Sequence, residues 1–71
     1  MERETLLRQL AEVEKHLAIS KLHIDRQIEI IDELERAGQS ARNERSLLAT
    51  FRSLLAQHEA RRARLIRQLE A

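Results

Sequence analysis

Ala37-Gly38-Gln39-Ser40 is the stretch on which the reading of this chain turns. Gly38 is the only glycine and there is no proline, while the residues on either side carry helical periodicity without interruption. Glycine enters the left-handed region without a Cβ clash, so Gly38 is placed at the C′ position that ends a helix. Arg36 in the preceding turn suits the negative end of the helix dipole. Ser40 is expected to cap the next helix, its hydroxyl accepting from the backbone N–H of Arg42 or Asn43. Glu44 adds negative charge to that first turn, one position away from a full capping box. A connection this short leaves its two helices antiparallel. The expected fold is all-α, a coiled-coil-like hairpin with helix 1 over about 2–37, a turn at 38–40 and helix 2 over about 41–69.

Composition agrees. The chain of 71 residues is one domain, 35% charged and 1% aromatic, with Phe51 its only phenyl ring. Abundant Ala, Leu, Glu, Arg and Gln favour long helices over sheet or disorder. Without cysteine there is neither a disulfide nor a thiolate zinc site. No apolar run approaches the roughly 20 residues of a membrane span. The start, Met1-Glu2-Arg3-Glu4, lacks a signal peptide's apolar core. A soluble, cytoplasmic protein with no membrane partner is the expectation.

The net charge of +1 hides an asymmetry. Residues 1–37 carry six Lys/Arg against nine Asp/Glu, and residues 41–71 seven Arg against three Glu, so helix 1 is acidic and helix 2 basic. Two such helices attract along their flanks, which also discourages wrong pairings.

Helix 1 has an apolar seam at three- and four-residue spacing: Leu6, Leu10, Val13, Leu17, Ile24, Ile31 and Leu34. Ser20 and Gln27 take two seam positions, and Leu7 and Ile28 widen one flank. The seam of helix 2 is Leu48, Phe51, Leu55, Leu65 and Leu69, with His58 and Arg62 as polar members and Leu47, Leu54 and Ile66 beside it. A second apolar arc, Ile19, Leu22 and Ile30, is expected on the outside of helix 1. Two helices cannot cover both seam and arc, and a core this small is thin for a free-standing chain. A homodimer forming a four-helix bundle covers both, with Ile19, Leu22, Ile30, Leu47 and Leu54 as the self-association surface.

Three polar groupings are candidates for chemistry. His16 and His23 lie seven apart on one face of helix 1. A pairing that sets His58 opposite Ser20 and Lys21 brings all three imidazoles together, as zinc or nickel ligands with Asp25 or Glu59 as candidate carboxylates. Against this, ligands on one helix normally sit three or four apart, and histidines packed at an interface need no metal. Arg62 on the seam reads as a buried ion pair with Glu14 or Glu12 that sets register, with Ser20 and Gln27 hydrogen-bonding in the same layer. The other reading of that patch is a ligand pocket. Arg61, Arg64 and Arg67 offer a basic face to RNA or DNA, although no aromatic is available for base stacking. There is no glycine-rich phosphate loop and no H-E-x-x-H or G-x-S-x-G motif, so catalysis is not expected.

The chain resembles a group of very short, uncharacterised helical-hairpin proteins of soil alphaproteobacteria. The residues that carry the likeness are His16…His23-Ile24-x-Arg26-Gln27, Leu34-Glu35-Arg36-x-Gly38, Leu47-Leu48-Ala49-x-Phe51 and His58-x-x-x-Arg62 with Leu65. The resemblance spans nearly the whole chain and implies a stand-alone cytoplasmic hairpin with the histidine positions as part of its pattern. It brings no active site or cofactor to carry over. The function expected is a non-catalytic, homo-oligomeric helical protein acting through protein–protein interaction, with a nucleic-acid-binding four-helix bundle as the alternative.

Overall fold

The computed structural model describes residues 2–71; Met1 lies outside them. Two helices, α1 (Arg3–Arg36) and α2 (Arg42–Glu70), pack as an antiparallel hairpin of 54 × 14 × 13 Å. α1 is one residue shorter at each end than its periodicity suggests, and α2 begins and ends one residue later.

The stop at Gly38 is a Schellman motif. Gly38 has φ 72° and its N–H donates to Glu35 O at 3.0 Å, while Gln39 N–H donates to Leu34 O at 2.9 Å. Two carbonyls left over at the end of α1 are thereby satisfied.

The cap of α2 differs from expectation. Ala41, not Ser40, occupies the capping position and offers no side-chain bond there. Ser40 stands one residue earlier, and its hydroxyl accepts from Arg42 N–H at a long 3.4 Å. The reason is packing: the Ala41 methyl is buried with Ile31 and Leu48, and a larger polar side chain has no place in that cluster.

Every seam position named for the two helices is buried or half-buried, and the seam of α2 extends back to Ala41 and Glu44. Its spacing alternates three and four throughout, as a left-handed helix pair requires. Full burial, however, is confined to the two ends. Leu6, Val13 and Leu65 form one cluster at the open end, and Ile31, Ala41 and Leu48 another beside the turn. Between Val13 and Gln27 on α1, and between Leu48 and Leu65 on α2, no residue is buried. Leu17, Ser20, Ile24, Phe51, Leu55, His58 and Arg62 are only half-buried, so the hairpin has a thinly covered waist.

Gln27 is the one buried polar side chain among the described residues. Its Nε2 donates to the backbone carbonyl of Glu44 at 2.9 Å. It thus ties α1 to the first turn of α2 and belongs to the turn end, not to the His58–Arg62 layer where the side-chain pattern put it. No buried side-chain polar atom among the described residues lacks a partner.

Candidate interaction surface and histidine pair

The two flanks of the helix–helix seam differ in chemistry. One is charged: Glu14, Lys21 and Glu35 on α1 face Arg45, Arg52 and Glu59 on α2. Among the described residues, both ion pairs that join the helices lie here, Arg62 with Glu14 at 3.4 Å and Arg45 with Glu35. The Arg62–Glu14 pair forms with an expected partner but is not buried; its side chains remain 43% and 50% exposed, which puts it among surface pairs of about 0–1 kcal/mol. The adjoining groove, lined by Glu14, Leu17, Ala18, Lys21, Glu59 and Arg62, is shallow and open, not an enclosed ligand pocket.

The other flank is nearly neutral. α1 contributes Gln9, His16, His23 and Ile30 to it, and α2 Leu47, Leu54, Arg61 and Gln68; Arg61 is its single formal charge. Leu47 and Leu54 are exposed along this flank, and Ile19 is exposed at its rim. Ile30 corrects the expected outer arc: it borders the seam and is half-buried against its own hairpin. Leu22 is 67% exposed on the outer face of α1, further round than the flank itself. Leu7 and Ile28 are exposed on the charged side.

The histidines divide. His16 and His58 meet across the helices with ring centroids 5.4 Å apart and planes tilted by 41°. His23 packs on Phe51 instead, at 5.7 Å and 42°. The expected cluster of three imidazoles is therefore not formed within one chain, because the heptad that separates His16 from His23 also separates their partners on α2. Among the described residues no group of three or more His, Asp or Glu side chains is placed to hold a metal. Asp25 and Glu59 are exposed, Glu59 on the charged flank away from the rings.

Arg61, Arg64 and Arg67 are all exposed. Arg61 and Arg64 line a shallow groove with Gln9, Leu65 and Gln68. Neither helix has a stretch long and apolar enough to cross a membrane.

Two features escaped the sequence pattern. Ala41 was hidden by its place in the turn, since a small residue outside a helix gives no periodic signal. The difference between the flanks was legible in principle, as the residues on either side of the seam, but only once the helices are paired does it appear as one neutral surface. No protein-family model matches this chain, and comparison with curated proteins and with solved structures gives no match.

Proposed function

We propose that this hairpin acts by association and not by catalysis, pairing with a second copy through its neutral flank to form a four-helix bundle. The observation that carries this reading is the asymmetry of the flanks. The charged side makes two ion pairs across the helices, Arg62–Glu14 and Arg45–Glu35, whereas the other side carries one formal charge and presents Leu47, Leu54 and Ile19 beside a half-covered waist. Burying neutral and apolar side chains is favourable at about 25 cal/mol per Å², while burying the opposite flank strands charges.

The helix charges support one arrangement over the other. A two-fold axis parallel to the helices lays acidic α1 of each copy on basic α2 of the other, with both turns at one end. An axis across the helices lays like on like. Complementary charge favours the first. The second copy then covers Phe51 and His58, the half-buried seam residues that pack against His23 and His16 on this flank.

Sedimentation equilibrium over a wide concentration range tests the reading. Wild type is expected to dimerise, and Leu54→Glu to raise the dimer Kd by about a hundredfold, the scale of an interface hot spot. Ile28→Glu, on the charged flank, is the matched control and leaves association unchanged. A wild type that stays monomeric, or an equal response of the two variants, refutes it.

A further inference from the structure

We propose that His16 and His58 are ligands of a divalent transition metal of the zinc, nickel or copper group, held at the waist between two copies of the chain. The inference rests on the two-copy arrangement above.

The spacing of the two rings is compatible with a shared metal ion. Imidazoles sharing one tetrahedral zinc have Zn–N bonds of about 2.0–2.1 Å, which places their ring centroids roughly 5 Å apart. The two rings stand 5.4 Å apart, on different helices, so the backbone holds the pair in place before any metal arrives. His58 is half-buried and His16 exposed, and neither ring is engaged by a hydrogen bond or an ion pair among the described residues.

One chain supplies two ligands and no third. A two-fold axis parallel to the helices preserves height along the bundle, so the second copy brings its own His16 and His58 to the same layer. Four imidazoles then surround a single position. Nitrogen donors of this kind favour zinc, nickel and copper over magnesium or calcium, which take oxygen ligands. His23 lies two turns away against Phe51 and is left out of the set.

Calorimetric titration with zinc chloride, run beside sedimentation equilibrium with and without zinc, tests the site. The expected result is one zinc per two chains, tighter dimerisation in its presence, and no heat with magnesium chloride. His16→Gln and His58→Gln should each weaken zinc binding at least tenfold, and His23→Gln should not. His16 is exposed, so its substitution leaves the hairpin folded, and far-UV circular dichroism of each variant verifies this. A dimer that binds no zinc, or binds it equally well after His16→Gln, overturns the metal site and leaves association standing. A chain that is monomeric with and without zinc overturns the association first. Zinc bound one per monomer overturns the shared site.

Discussion

At the residue scale, two positions set how the helices meet. Gly38 holds φ 72°, and a Cβ built there meets nothing within 4 Å, so the cost of a side chain is purely one of backbone conformation. Gly38→Ala is expected to lower the unfolding free energy by about 1–2 kcal/mol and Gly38→Asn by less, read by urea denaturation. An equal loss for the two would point to a packing role instead. Gln27 couples the helices through a carbonyl that α2 already uses in its own ladder. Gln27→Ala removes the hydrogen bond and leaves a small void, and should cost about 1–2 kcal/mol. Gln27→Leu keeps the volume and should be nearly neutral in stability, because no orphaned donor remains. The glycine was legible from sequence because it was the only one. The partner of Gln27 was not, since a backbone carbonyl carries no residue identity to pair with.

At the element scale, the alternation of three and four along both helices locates each half of the seam from sequence alone. That is a local property, and periodicity reads it directly. How deeply each position is buried depends on the neighbour, and here the hairpin is uneven. Val13 is 2% exposed between Leu6 and Leu65, whereas Leu55, a seam residue of the same apolar kind, is half-buried. In the isolated hairpin, Leu65→Ala should therefore cost about 2–5 kcal/mol and Leu55→Ala distinctly less. Thermal unfolding at low protein concentration, in the Leu54→Glu background chosen to block the proposed association, measures the pair; equal losses would mean the waist is as well packed as the ends. The His16–His58 contact belongs to this scale too. Its partners follow from the register between helices, which the turn and Ala41 determine together, and a pattern read along one helix at a time assigns His58 to Ser20 and Lys21.

At the scale of the whole molecule, charge decides what packing leaves open. Apolar side chains on the neutral flank favour a second copy in either orientation, since burial has no direction. In the proposed dimer the acidic character of α1 and the basic character of α2 would break that tie, at the rims of the interface where charges stay in water. In the proposed dimer with both turns at one end, Glu12 on the rim of α1 would stand level with Arg64 of the second copy. Such a rim pair contributes little to affinity, about 0.2–1 kcal/mol, but reversing one member sets like charges face to face. Glu12→Arg should thus weaken the dimer by a few-fold at low salt, and Arg64→Glu should do the same. The double variant Glu12→Arg/Arg64→Glu restores the opposite pairing and should recover wild-type association. Added salt should shrink all three differences, because the Debye length falls to about 8 Å at physiological ionic strength. If the turns lay at opposite ends, Glu12 and Arg64 would each lie far from the other in the partner subunit. The two single effects would then simply add in the double variant, and sedimentation equilibrium of these four proteins separates the two topologies.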